Sequence, residues 1–189
     1  VSRYLKHFSN QANQAKISVM QSDGGVVGIP AACNQAVRML LSGPAGGLMA
    51  AKYIADKINR SGLLTFDMGG TSTDVALIDG DLQLTTTGSI VDYPVAVPMV
   101  DMHTIGAGGG SIAYIDEGGM LQVGPESAGA EPGPACYGKG GLRATVTDAN
   151  LILNRIVPDH FLGGAMQVDV DAAKITISQL AKTLGLSDV

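Results

Sequence analysis

The segment Leu64-Thr65-Phe66-Asp67-Met68-Gly69-Gly70-Thr71-Ser72-Thr73-Asp74-Val75-Ala76-Leu77-Ile78 sets a glycine and hydroxyl turn between two apolar runs. These residue types at this spacing suit phosphate. Gly69 and Gly70 have no Cβ to keep a phosphate away from the backbone, and Thr71, Ser72 and Thr73 offer amides and hydroxyls as donors. Asp67, closing the first run, is placed to hold Mg²⁺ directly or through water, and Asp74 brings a second carboxylate close in sequence. The plainer reading is a hairpin with glycines in its turn and aspartates solvating its ends. The complete order of strand, Asp, two glycines, three hydroxyls, Asp and strand favours phosphate binding.

Other groups have weaker claims. Gly106-Ala107-Gly108-Gly109-Gly110 has the glycine density of a dinucleotide fingerprint, but Ser111 to Ile115 reads as extended where that fingerprint needs a helix. A loop folding over a nucleotide or substrate through Gly106, Gly108, Gly109 and Gly110 is preferred to a simple glycine bend closing a strand. Asp101 and His103 are two apart on an extended segment and would share a face of a regular strand. As a pair they suit proton transfer or a shared metal, with Cys136 or Asp148 completing a ligand set, and a hydrogen-bonded structural histidine is the competing reading. Cys136, between Pro134 and Tyr137, is read as buried packing rather than a nucleophile. His7 and His160 have no companions that suggest catalysis. Ser42 to Gly47 reads first as helix initiation, with Ser42 as cap and Pro44 in the first turn.

Positioning these groups requires elements that the pattern supplies. An amphipathic piece from Val1 to Phe8 carries Tyr4, Leu5 and Phe8 on one face. Ile17–Met20 and Val26–Ile29 flank Ser22-Asp23-Gly24-Gly25, a hairpin composition. A helix is expected from Pro44 to Ile58, followed by strands at 63–68, 74–78 and 82–86 that form a three-strand meander turning at Asp79-Gly80. One further extended piece runs from Val95 to Ile105. Ile112–Ile115 and Leu121–Val123 pair around Glu117-Gly118-Gly119. Residues 124–141, rich in Gly, Pro and Ala, read as an ordered functional loop without a regular element. Thr147 is the expected cap of a helix from Asp148 to Ile156, and Asp169 or Asp171 opens a last helix ending near Gly185.

Composition narrows the partners. Twelve basic and 17 acidic side chains among 189 residues give a formal net charge of −5, which argues against a broad nucleic-acid surface. With 46 % hydrophobic residues the chain can fill a core, and 26 glycines leave loops to approach ligands closely. The apolar runs are too short for a membrane span, no signal segment opens the chain, and Cys33 and Cys136 form no CxxC pair. A cytoplasmic setting is expected. The initial Val suggests a segment of something longer.

The Phe66–Val75 loop resembles a phosphate loop of the actin-like ATPase superfamily, where two such loops from two half-domains clamp ATP. Most of the chain is similar to the hydantoinase A and 5-oxoprolinase family, which includes a subunit of acetone carboxylase. The likeness rests on that loop together with Leu41-Ser42-Gly43-Pro44-Ala45-Gly46-Gly47, the run from His103 through Gly110 to Ala113, Gly124-Pro125-Glu126-Ser127-Ala128-Gly129-Ala130, Pro132-Gly133-Pro134-Ala135-Cys136-Tyr137-Gly138, and Thr145-Val146-Thr147-Asp148-Ala149-Asn150.

This resemblance implies an α/β, ribonuclease H-like half-domain with a mixed sheet, flanking helices and a Gly/Pro-rich loop. Residues 1–62 would join it to the half-domain proper at 63–189, and an N-terminal half-domain carrying the second phosphate loop would lie outside this chain. It further implies ATP and Mg²⁺ as cofactors, a small cyclic amide as substrate, a hydantoinase B-type partner, and phosphorylation of the amide oxygen before ring opening. On this reading Asp67 organises Mg²⁺, Gly69 to Thr73 cradle phosphates, Asp74 orders the loop or a water, and Asp101 and His103 contact substrate or metal. The alternatives are the ATP-hydrolysing subunit of a ketone carboxylase, a nucleotide-binding module without chemistry, and a structural half.

Overall fold

The computed structural model describes residues 1–12, 15–90 and 93–187. The chain forms two compact units that interleave in sequence: Val1–Asp67 with Asp74–His103, and Met68–Thr73 with Thr104–Val189.

The first unit opens with helix α1 (Ser2–Gln11), which buries Leu5. Tyr4 and Phe8 stay exposed and stack on each other at 6.4 Å, so the expected apolar face is only partly covered. Strands β1 (Ser18–Met20) and β2 (Val26–Gly28) form the expected hairpin, with Val19 opposite Val27, and α2 (Ile29–Asn34) follows with proline in its first turn. Helix α3 (Ser42–Lys57) begins earlier than expected and is not capped by Ser42. Its cap position is Leu41, without a side-chain cap; Ser42 already lies inside the first turn. The entry is fixed from a distance by the fully buried Ser22, whose hydroxyl donates to Arg38 O at 2.7 Å and accepts the Leu41 amide at 3.4 Å.

Strand β3 (Gly62–Met68) alternates as a half-buried strand should, turning Leu63 and Thr65 inward and leaving Leu64 and Phe66 exposed. Its partner β4 (Thr73–Asp79) buries Ala76 and Ile78. The Thr65 hydroxyl bridges both backbone groups of Ala76 at 3.2 Å. These strands and α3 share a core of Ala45, Leu48, Ala76, Ile78 and Val100.

The expected meander is corrected here. At Asp79-Gly80 the Gly80 amide donates to Ser61 O at 2.8 Å, and of the strand expected over 82–86 only Leu84–Thr85 (β5) is regular. A short hairpin, β6 (Gly88–Ile90) with β7 (Tyr93–Val95), comes next. β5 pairs instead with β8 (Met99–Val100), Leu84 opposite Val100, and β9 (His103–Ile105) supplies the third strand of a sheet ordered β3-β4-β9. The single extended piece expected over 95–105 is therefore broken. Pro98 has no amide to donate, and the Asp101 amide goes to Gln83 O at 2.8 Å.

In the second unit, β10 (Ser111–Ile115) and β11 (Leu121–Ser127) form the expected hairpin, Ile115 opposite Leu121. Asp116 closes its turn by accepting the Met120 and Gly118 amides at 2.9 Å, and the Met120 bond foremost, then the Gln122 side-chain amide at 2.8 Å, holds its carboxyl below the usual range. The Gly/Pro-rich stretch is more regular than expected at both ends, since Gly124–Ser127 belong to β11 and Ala135–Tyr137 form a 3₁₀ turn.

Helix α4 (Val146–Ile152) is capped by Thr145 rather than Thr147. Thr145 is extended, at φ −124° and ψ 168°, and exchanges bonds with Asp148 in a complete capping box. The helix ends at Ile152 rather than Ile156, with Asn154 at φ +54° soon afterwards. Of the two aspartates expected to open the last helix, α5 (Val170–Thr183), Asp169 is the cap, accepting the Ala172 amide at 2.9 Å. Cys136, Leu151 and Ala173 are the buried centre of this unit. Among the described residues no helix is long and apolar enough to cross a membrane.

Candidate functional site

The bend after β3 is built by backbone bonds. The Gly69 amide donates to Ser72 O at 2.9 Å and closes the turn. Thr73 is buried and its hydroxyl donates to Ala107 O at 2.6 Å, so this hydroxyl anchors the bend instead of facing outward with its neighbours. The Gly106–Gly110 run, expected to fold over a nucleotide or substrate, lies against this bend. The Gly109 amide donates to Gly69 O at 2.8 Å and the Gly110 amide to Gly70 O at 2.6 Å. A Cβ on Gly108 would sit 2.6 Å from the Thr71 nitrogen and 2.7 Å from Gly69 O, so only glycine allows this approach. Gly106, by contrast, is exposed.

Beside the bend lies a cleft of about 370 Å³ whose wall includes Gly69, Gly70, Gly109 and Gly110. Facing residues include Tyr137 and Phe161, whose rings are 5.7 Å apart. Burial pushes the Tyr137 hydroxyl pKa upward. Gly69 and Gly70 are exposed, and among the described residues no acceptor takes the amides of Gly70, Thr71 and Ser72. Gly70 brings one of these donors to the cleft wall, where a phosphate oxygen could accept from it, whereas the nitrogens of Thr71 and Ser72 lie against Gly108.

The carboxylates belong to a cleft of the first unit, of about 250 Å³, whose wall includes Asp67, Asp74, Thr65, Pro44 and Gly47. Asp67 is exposed and Asp74 half-buried. Among the described residues there is no group of three or more His, Cys, Asp or Glu arranged for a metal ion. Mg²⁺ is commonly held by one or two carboxylates, with water and phosphate oxygens completing the shell, and two carboxylates in one cleft fit that habit.

Asp101 and His103 are both exposed, and their side chains form no hydrogen bond or ion pair with each other among the described residues. Asp101 lies outside the strand that contains His103, so the shared face assumed for them is not formed. Neither Cys136 nor Asp148 is available as a ligand. Cys136 is fully buried, and burial foremost, then the Asp148 carboxylate, pushes its thiol pKa up to about 12. Asp148 is also fully buried and accepts from Thr145, Ala135 and Cys136.

A family model described as hydantoinase/oxoprolinase matches residues 1–189. The chain belongs to the hydantoinase/oxoprolinase family. It is 41 % identical over 193 residues to the caprolactamase subunit alpha of Pseudomonas jessenii, a match covering 99 % of this chain and 28 % of that subunit. Against the 5-oxoprolinase of Dictyostelium discoideum it is 37 % identical, covering 95 % of this chain and 15 % of that protein. Two solved structures share the fold. One is a nucleotide-free acetone carboxylase (TM-score 0.82, 32 % identity, 98 % of this chain and 27 % of that chain). The other is the ATP-dependent caprolactamase of P. jessenii (TM-score 0.80, 40 % identity, 98 % of this chain and 28 % of that chain). This family chain thus spans less than a third of the relatives it matches, and its mixed α/β architecture is that of an actin-like half-domain.

Several residues of the family chain's glycine cleft were not among the expected site residues. Thr147, Asn150, Gly129, Tyr137 and Phe161 all contribute to its wall. The one available clue was Thr145-Val146-Thr147-Asp148: a helix needs one hydroxyl cap, so one threonine is left for another task.

Proposed function

We propose that this chain supplies part of the nucleotide site of an ATP-dependent enzyme that opens a cyclic amide. The observation that carries this reading is the cleft whose wall includes Gly69 and Gly70, beside a bend in which the amides of Gly70, Thr71 and Ser72 have no acceptor among the described residues. Those amides would bind phosphate oxygens, and the hydroxyls of Thr71 and Ser72 would add donors. Asp67 would hold Mg²⁺ and Asp74 would order the bend or a water, from the cleft they share. ATP would supply a phosphoryl group to the amide oxygen, which opens the ring carbon to water so that the ring C–N bond breaks with nitrogen leaving as the amine and with ADP and phosphate as the other products, and the protein's share is positioning and charge neutralisation. The names of the caprolactamase and 5-oxoprolinase relatives support a lactam-like substrate. Asp101 and His103 stay as candidates for substrate contact through their exposed side chains.

The complete enzyme would add an N-terminal half-domain with the opposing phosphate loop. The designation of the caprolactamase relative as a subunit supports a further, hydantoinase B-type partner. A second reading, the ATP-hydrolysing subunit of a ketone carboxylase, is favoured by the TM-score of 0.82 to acetone carboxylase.

Phosphate release from the complete enzyme, measured in parallel with caprolactam, 5-oxoproline, hydantoin, and acetone plus bicarbonate, separates the two. Stimulation by one cyclic amide is expected. Stimulation by ketone and bicarbonate alone would transfer the assignment to the carboxylase, and release of no phosphate with any of them would remove both.

A further inference from the structure

We infer that Thr147 is a positioning residue for the phosphate bend. The inference rests on the nucleotide reading above and names the side chain that sets the bend's geometry. Thr147 is 7 % exposed, and both its amide and its hydroxyl donate to Gly109 O, at 2.8 and 2.7 Å. The Gly109 amide then donates to Gly69 O at 2.8 Å, and the adjacent Gly110 amide to Gly70 O at 2.6 Å.

The consequence follows from peptide planarity. The Gly69 carbonyl shares a rigid plane with the Gly70 amide, and the Gly70 carbonyl shares one with the Thr71 amide. Across a trans peptide the carbonyl and N–H point in opposite directions, so holding these two oxygens aims the two amides. Those are among the amides left without an acceptor.

Thr147 can do this because its helix is fixed by other residues. Thr145 and Asp148 form the capping box that starts α4, which releases the Thr147 hydroxyl for Gly109. Thr147 therefore acts through the glycine run and not on the reacting atoms.

The test uses Thr147→Val, which replaces the hydroxyl by a methyl of similar shape, and Thr147→Ser, which keeps it. In the complete enzyme, Mg-ATP dissociation constants, separate KM values for ATP and for the cyclic amide, and amide hydrogen exchange over 106–111 are measured together. Thr147→Val is expected to weaken Mg-ATP binding about tenfold, as loss of one buried hydrogen bond does, with the KM for the amide unchanged. Exchange at the Gly109 and Gly110 amides, which are bonded to Gly69 O and Gly70 O, should accelerate, and Thr147→Ser should restore both affinity and protection. If the valine variant does not fold, Thr147→Ala takes its place. Wild-type affinity and wild-type exchange in the variant would overturn the inference while leaving the nucleotide site standing. If the unmodified enzyme does not bind Mg-ATP, the nucleotide reading falls, and the exchange measurement still decides whether Thr147 positions the bend.

Discussion

Asp148 Oδ1 accepts the backbone amide of Cys136 at 2.8 Å, tying the 3₁₀ turn of the Gly/Pro-rich stretch to the start of α4. Its other oxygen accepts the Thr145 amide at 3.0 Å, the Thr145 hydroxyl at 2.7 Å and the Ala135 amide at 3.3 Å. A fully buried carboxylate is tolerable because its lone pairs are filled by donors from two segments. Since α4 carries Thr147, the same carboxylate indirectly supports the glycine bend.

Asp148→Asn puts an NH₂ group where one oxygen now meets only donors. The variant should lose about 2–4 kcal/mol of unfolding free energy, the range for leaving a buried charged-group acceptor partly unmade. Urea unfolding measures this. A loss below about 0.5 kcal/mol would mean that the junction does not depend on this carboxylate.

Cys136 gives a pH signature. Its thiol is raised from an ordinary 9.0 to about 12, mainly by burial. The folded state therefore keeps the proton that the unfolded state releases near 9.0, so the stabilising contribution is complete below pH 9 and fades as pH rises toward 12. The wild type should lose stability relative to Cys136→Ala across that window, and parallel curves would show that the thiol does not titrate differently on folding. At pH 8.5, a thiol reagent should label Cys33, which is partly exposed, well before Cys136.

Ile78 is fully buried in the core between α3 and the β3–β4 pair. Ile78→Ala should cost about 2–5 kcal/mol, from lost transfer energy and the remaining cavity. Ser22→Ala in the same unit should cost about 1–2 kcal/mol, because Arg38 O loses its hydroxyl donor. Thermal unfolding checks both, and a milder effect for Ile78→Ala than for Ser22→Ala would contradict the core assigned here.

What could be read in advance follows from how local each signal is. The hairpin at 111–127 and the helix after Asp169 declare themselves through turn residues and caps only a few positions away. The bend at Gly69–Ser72 was visible for the same reason. The partner of β5 was not, because its choice of β8 is decided by a strand fifteen residues downstream and by the Gly80 amide turning to Ser61. Thr147 was misread as a cap since Thr145 and Thr147 both precede a helical pattern, and only the distant Gly109 carbonyl distinguishes their tasks. The Asp101–His103 pair failed because alternation in sequence assumes a regular strand, whereas the Asp101 amide is drawn to Gln83.

Asp67 offers the most direct test of the metal assignment. It lies one residue before the end of β3, is exposed, and lines the cleft that also contains Asp74. Asp67→Asn preserves shape and exposes no new apolar surface, so unfolding should stay within about 0.5 kcal/mol of wild type. If this carboxylate holds Mg²⁺, the amide side chain binds the cation far less well, and ATP hydrolysis by the complete enzyme should fall by about a hundredfold or more. Raising the Mg²⁺ concentration should recover part of the loss, an effect that a purely structural role for Asp67 does not give. Unchanged turnover in a folded Asp67→Asn enzyme would remove Asp67 from the metal site and leave Asp74 as the carboxylate to test next.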